Sequence, residues 1–349
     1  MRRLEVLRQL SAALAGRPFE RTSWPEVVEL ANEHLVTPQL HAALVGGGAL
    51  RRLPVDLQAF LEDVFQRNRE RNRRLFAQLR EALAVLNAAG LQPILLKGAA
   101  LWISLGRPAG FDRMLNDLDL LVQPHEAARA MDALAAADFQ VLARFDEPWR
   151  HVVAELGRPS DVGVLDLHRR PPGPLSAPAP LQDLRPVDWD GVRAWTPGPA
   201  AQVCMLALHD QFHEGAFWRG DLPVRHLLDI AMLSPMVATQ SLAELAGERL
   251  LLRGVAVQVA AAQRFVGAKS DWPALRSAAV RAHHLRQAAQ FAWPGAAWPL
   301  ACLAALAEAG SLVGRDRLVG DGPGGVAERF ARFRSVARAG GANPPLGAG

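Results

Sequence analysis

Apolar residues recur at alternating steps of three and four through Leu61, Phe65, Leu75, Leu79, Ala82 and Leu86. That spacing predicts one long amphipathic helix from about Pro54 to Ala89, closed by Gly90 as its C′ residue. Asn68 and Asn72 fall on the same stripe, where two more apolar residues would be expected. Their amides are read either as contacts to a bound nucleotide or as structural hydrogen bonds to loop backbone. Arg67, Arg69, Arg71, Arg73 and Arg74 mostly lie off the stripe and read as a solvated face paired with Glu62, Glu70 and similar neighbours. Upstream, "SWPEVVELANEHL" carries Ser23 as an N-cap, Pro25 in the first turn and Glu26 three residues on. Residues 1–90 therefore read as an N-terminal helical segment.

From residue 91 the period changes. "QPILLK", "DLDLLV", "FQVLARF" and "VGVLDLH" read as strands, with helices over "GAALWISLG" and "PHEAARAMDALAAAD". Strands alternating with helices imply a sheet domain over residues 91–190. The stretch 169–180 is a proline-rich loop. After "TPGP" the pattern is helical again over residues 191–315. Residues 316–349 form a Gly/Pro-rich tail around one short basic helix, with its last ten residues expected to be disordered.

Within the sheet segment, Asp117 and Asp119 flank Leu118 inside an aliphatic run. Alternation along a strand puts both carboxylates on one face, about 7 Å apart, with Leu118 and Leu120 on the other. Burying two unpaired charges is costly, whereas a hard divalent cation with oxygen ligands offsets both. Asp166, between Leu165 and Leu167, is a third acid in an apolar strand, and His168 shares its face. Asp117, Asp119 and Asp166 are the expected ligands of Mg²⁺, two ions, with Mn²⁺ as the alternative. Lys97 and Gly98 stand at a strand end just before a helix, a cation beside free helix N–H groups that suits a triphosphate. Arg113 is a second candidate cation. His168 is read as a contact to the bound nucleotide, orienting the site or bordering it.

The order strand–Lys-Gly–helix–Arg–strand–DxD, with a later acid-bearing strand, resembles the uncharacterised nucleotidyltransferase family of bacteria. That family is a branch of the DNA polymerase β-like nucleotidyltransferase superfamily. The matching residues are Leu95 to Gly98, Arg113, Asp117 to Val122, and Asp166 to His168. His209, Arg225 and Asp229 match recurrent positions of the family's helical half, and the resemblance covers roughly residues 20–310. It implies an α+β fold, a small mixed β-sheet core flanked by N- and C-terminal helical segments. The implied activity is Mg²⁺-dependent transfer of an NMP group from an NTP to a small-molecule or peptide/protein acceptor, releasing pyrophosphate. Asp117 and Asp119 would bind both metals; Asp166 would bind the catalytic one and help deprotonate the acceptor. Lys97-Gly98 replaces the superfamily's Gly-Gly or Gly-Ser, at a longer spacing to the DxD, and Asp138 stands where the branch often has glycine. The alternative is a non-catalytic member that binds nucleotide or a partner within a biosynthetic pathway.

Composition narrows the field. Of 349 residues, 50% are hydrophobic and 21% charged, an ordinary globular balance, and the net charge of +4 is too small to imply a polyanion partner. Without interleaved aromatics, a tRNA-modifying toxin of this superfamily gains little support. Two isolated cysteines, Cys204 and Cys302, exclude a disulfide scaffold and favour a reducing compartment, the cytoplasm. His209 and His213, four apart on a helix, share a face and suit zinc, but no third ligand is signalled; lining or packing is the other reading. The apolar stretch 291–307 holds Pro294 and Pro299 and is shorter than a membrane span, so it reads as a buried helix.

Overall fold

The computed structural model describes residues 2–18, 23–106, 112–146, 150–172, 181 and 183–312. The tail expected over 316–349 and most of the proline-rich loop lie outside the described residues.

The N-terminal helices are α1 (Arg2–Leu14), α2 (Trp24–Glu33), α3 (Thr37–Gly46) and α4 (Val55–Ala88). α4 is 34 residues long, and Leu61, Leu75, Leu79, Ala82, Leu83 and Leu86 on its stripe are buried. The α/β part follows as β1 (Ile94–Leu95), α5 (Lys97–Ser104), β2 (Asp117–Leu121), α6 (Ala127–Ala136), β3 (Gln140–Arg144), β4 (Val152–Gly157), β5 (Val164–His168), β6 (Leu184–Trp189) and β7 (Val192–Pro197). They form one mixed seven-stranded sheet in the order β3-β4-β5-β2-β1-β7-β6. β2 runs parallel to β5 and antiparallel to β1, so the acid-bearing strands sit side by side at the centre. The fold is α+β, as expected.

Three strands carry no clear pattern. β4 holds a register shift between Val152 and Ala154, and a bulge breaks the two-residue alternation. β6 lies at the sheet edge and contains Pro186, which an edge strand tolerates. β7 pairs with β6 through the Asp190–Gly191 turn and with β1 on its other side. The segment boundary expected at residue 190 falls in that turn.

The helical half comprises α7 (Pro199–Leu208), α8 (Ala216–Arg219), α9 (Val224–Leu233), α10 (Thr239–Ala246), α11 (Arg249–Val266), α12 (Ala278–Ala292) and α13 (Pro294–Leu312). A π-helical turn, His209–His213, follows α7. The stretch 291–307 is divided at Trp293 between α12 and α13. α13 packs against α12 and α8 and leaves Trp298, Leu303 and Leu306 exposed, so it is a surface helix rather than a buried one. No described helix is long and apolar enough to cross a membrane.

The two faces of β2 have different fates. Leu118 and Leu120 join Leu165 and Leu167 in the main core beneath the α4 stripe. Leu121, on the side of Asp117 and Asp119, packs with Ile94, Leu96 and Met205 of α7. The acids thus face the helical half, across the sheet from α4.

Candidate active site

β2 and β5 are in register with Asp119 opposite Asp166 and Leu121 opposite His168. Parallel pairing in this register juxtaposes acids 47 positions apart without any loop having to find them. Asp119 is almost wholly buried, at 1% exposure, while Asp117 and Asp166 are half-buried. Across β5, Glu155 of β4 pairs with Asp166, adding a fourth carboxylate that no local pattern signalled.

Two groups converge on one oxygen of Asp119. Lys97 Nζ lies 2.7 Å from its Oδ1, and His168 Nε2 lies 2.9 Å from the same atom. Lys97 opens α5 in a left-handed conformation, φ 43°, which a lysine adopts at a cost of order 1 kcal/mol. Gly98 beside it has no room for a side chain: a Cβ there would run into Leu115 and come within 2.8 Å of Arg113 Nη1. The Lys-Gly pair therefore lets a cation turn toward β2 while the next residue admits the close approach of the 113–115 loop.

Burial would raise every carboxyl here, and neighbours decide the outcome. For Asp119, Lys97 and the His168 hydrogen bond outweigh burial and hold the carboxyl well below the usual range. Asp166 has no such partner; burial, then Asp119 and Asp117, push it up to about 7. Burial and the charge on Asp119 raise Asp117 as well, against Lys97, Arg225 and Arg113. Burial lowers Lys97, but Asp119 and Asp117 more than reverse this and keep it protonated. Burial also lowers His168, despite its bond to Asp119, so the ring is neutral at neutral pH. A neutral ring facing a carboxylate donates from Nε2, which leaves the lone pair on Nδ1, a buried atom without a hydrogen-bond partner among the described residues.

Asp119, Asp166 and His168 present ligand atoms within 4.8 Å of one another, a set able to hold a metal ion. Asp117 lies outside that set, one strand repeat away on the same face. Oxygen donors with one imidazole fit Mg²⁺ or Mn²⁺.

The remaining expected residues are placed differently from one another. Arg113 is buried and donates from Nε to both oxygens of Asp229 on α9, each at 2.9 Å, so its charge is met inside the protein. Asn72 donates to the Arg113 carbonyl at 2.9 Å, and Asn68 to the Asp112 carbonyl at 3.1 Å. Of the two roles read for these amides, the hydrogen bond to loop backbone is the one observed. Arg71 and Arg74 also reach loop carbonyls, at Leu115, Val162 and Ser160, whereas Arg67 and Arg73 form the surface pairs expected of them, with Asp63 and Glu70.

Residues outside the expected set border the site. Arg225, half-buried on α9, faces Asp117 and Asp229 electrostatically and has no hydrogen bond or ion pair among the described residues. His151 stacks on His168 with centroids 5.2 Å apart and meets His213 edge-on at 4.7 Å. Burial and neighbouring charge push His151 down to about 2 and His213 down to about 4. His151 precedes a bulged strand and carried no signal.

No curated protein matches this chain. Among solved structures, the solution structure of the antibiotic-resistance factor ANT(2'')-Ia is similar at 14% identity and a TM-score of 0.37, covering 49% of this chain and 88% of that one. A family model described as "Uncharacterised nucleotidyltransferase" matches residues 20–249, which takes in α4, the whole sheet and α9. The chain belongs to the uncharacterised nucleotidyltransferase family.

Proposed function

We propose that this chain is a Mg²⁺-dependent enzyme that moves an NMP group from an NTP to a small-molecule or peptide/protein acceptor. The observation that carries the reading is the register of β2 on β5, which sets Asp119 beside Asp166 with Lys97 against them. Asp119 and Asp166 would hold the metal, with Asp117 beside them on β2. A divalent ion there, with Mn²⁺ as the alternative to Mg²⁺, supplies charge neutralisation at the transferring phosphate. The chain's own residues do the rest. Arg225 would meet phosphate oxygens, Lys97 would add its charge from within its ion pair with Asp119, and His168 fixes the orientation of Asp119.

Burial and the neighbouring acids push Asp166 up to about 7 in the metal-free protein, and a bound divalent ion would lower it and favour the carboxylate that accepts a proton. In the reaction the acceptor oxygen bonds to the α-phosphorus, its proton passes to Asp166, and the bond from that phosphorus to pyrophosphate breaks. The helical half beyond residue 190 would select the acceptor.

One observation favours a second reading, a non-catalytic nucleotide- or partner-binding member. Lys97 and Arg113, both expected on phosphates, are engaged by Asp119 and Asp229. Titration with NTPs and Mg²⁺, followed by pyrophosphate assay with radiolabelled NTP and cell extract, separates the two. Catalysis predicts Mg²⁺-dependent NTP binding and label transfer, both lost in an Asp117→Ala/Asp119→Ala protein. Tight binding without transfer supports the second reading. Equal NTP affinity for wild type and variant, with and without Mg²⁺, would remove the basis of both.

A further inference from the structure

A second cluster of metal-ligating atoms stands apart from the carboxylates of β2 and β5. His209, His213 and Glu214 present ligand atoms within 4.8 Å of one another. We propose that these three residues form a site for a zinc-class divalent ion, with a fourth position left to water or to a donor atom of the substrate.

The backbone explains why the three converge. In an α-helix each residue turns about 100°, so a residue five positions on lies about 140° round from the first. Here the helix makes a π-turn, and the Glu214 N–H donates to the His209 carbonyl at 2.9 Å. Widening the turn brings positions four and five ahead to either side of the first residue, so His213 and Glu214 both flank His209. The rings of His209 and His213 stack at 5.2 Å, inclined 27°. An α-helical reading of the same sequence finds only the two histidines.

The distances suit a shared ion better than a direct bond. His209 Nε2 lies 3.5 Å from Glu214 Oε1. A charge-assisted N–H···O contact closes to about 2.7–2.9 Å. Two ligands on a tetrahedral ion, each at about 2.0–2.2 Å from it, stand about 3.3–3.5 Å apart. His209 Nδ1 faces Asp210 Oδ1 at the same 3.5 Å separation, an orientation rather than a closed hydrogen bond, and this turns Nε2 toward Glu214. Asp210 is itself buried and accepts from His226 Nδ1 at 2.8 Å and from Gln258 Nε2 at 2.7 Å, so it cannot swing away. Two imidazoles and one carboxylate are a donor set for zinc-class ions with an open position, whereas Mg²⁺ prefers oxygen. His151, against both His213 and His168, places this site beside the carboxylate site without sharing a ligand.

The test uses the full-length chain, stripped by a chelator and held in excess Mg²⁺ to occupy the carboxylates. Co²⁺ is titrated in, followed by its visible absorption and by calorimetry, and Zn²⁺ is then added. The expected result is one equivalent of Co²⁺ bound and displaced by Zn²⁺. His213→Gln and Glu214→Gln, each checked for folding by circular dichroism, weaken it by about tenfold or more. Asp119→Asn/Asp166→Asn leaves it unchanged. Co²⁺ binding that is absent from wild type, unaltered in both Gln variants, or lost in the Asn double variant overturns the proposal. None of these readouts depends on nucleotidyl transfer, so the test stands or falls apart from the activity.

Discussion

Asp119 and Asp166 are neighbours with opposite fates. Lys97 and His168 together keep Asp119 ionised, while for Asp166 burial and the neighbouring acids outweigh the charge of Lys97 and push it up to about 7. Environments that drive two carboxyls apart in this way suit one to hold charge and the other to exchange a proton. A carboxyl that resists ionisation in the fold contributes stability while protonated. That contribution is complete below its ordinary pKa near 4 and is lost as pH rises through about 7. In Mg²⁺-free buffer the unfolding free energy of wild type, measured by chemical denaturation, should therefore fall more from pH 5 to pH 8 than that of Asp166→Asn, by about 2 kcal/mol after allowing for solvent screening. A variant that tracks the wild-type slope would remove Asp166 as the cause. Lys97 gives a second prediction. Lys97→Met leaves Asp119 buried with only a neutral imidazole beside it, and chemical denaturation without Mg²⁺ should show a loss of about 3–5 kcal/mol. Asp119→Asn in the same chain should recover most of that loss; independent, additive effects would mean the two side chains do not act as a pair. The three aspartates and His168 were legible because alternation assigns faces before any fold is known. That Lys97 would meet Asp119 was not, since a strand end says nothing of the direction its side chain takes.

At the scale of elements, α4 is a clamp as much as a core helix. Asn68, Asn72, Arg71, Arg74 and Gln78 donate to carbonyls of residues 112–115 and 160–163, the two loops that lead into β2 and β5. Gly163 lies so close to Leu75 of α4 that a side chain would not fit. Helix and loops together fix where the acid-bearing strands begin, and with that their register. Asn72→Leu should cost about 1–3 kcal/mol, because the Arg113 carbonyl loses its donor in a buried place. Hydrogen exchange of residues 112–116 should quicken in that variant, with NTP affinity falling as a consequence. Weaker NTP binding with unchanged stability and exchange would instead assign Asn72 to the nucleotide. The two amides were visible in the sequence as gaps in an apolar stripe. Their partners were not, because backbone carbonyls of a loop leave no mark on residue type. β4, β6 and β7 escaped for related reasons: a bulge, an edge proline and a tight Asp190–Gly191 turn each disturb the two-residue period.

Across the molecule, the join between sheet and helical half combines apolar packing, such as Leu121 against Met205, with a buried ion pair. Arg113 precedes β2 and Asp229 lies on α9; they are 4% and 0% exposed. The boundary expected at residue 190 falls within the β6–β7 hairpin, but the alternation of element types from residue 91, and with it a sheet between helices, was readable. Which helix would close over the acids was not, because Arg113 and Asp229 are separated by 116 positions and neither residue's local sequence names the other as its partner. Their pairing has a consequence for Arg225. Arg225 and Asp229 are four apart on α9 and share a face, so anchoring Asp229 to Arg113 aims Arg225 toward Asp117. Asp229→Ala should then act twice. It leaves Arg113 buried without its partner, a loss of about 3–5 kcal/mol by chemical denaturation, and it frees α9 to shift Arg225. Arg113→Leu/Asp229→Leu, which removes both charges, should recover most of the stability while leaving α9 without its anchor. Triphosphate affinity measured on that double variant separates the two effects. Weak binding by a stable protein assigns the pair to positioning Arg225, and wild-type binding would reduce it to a structural tie.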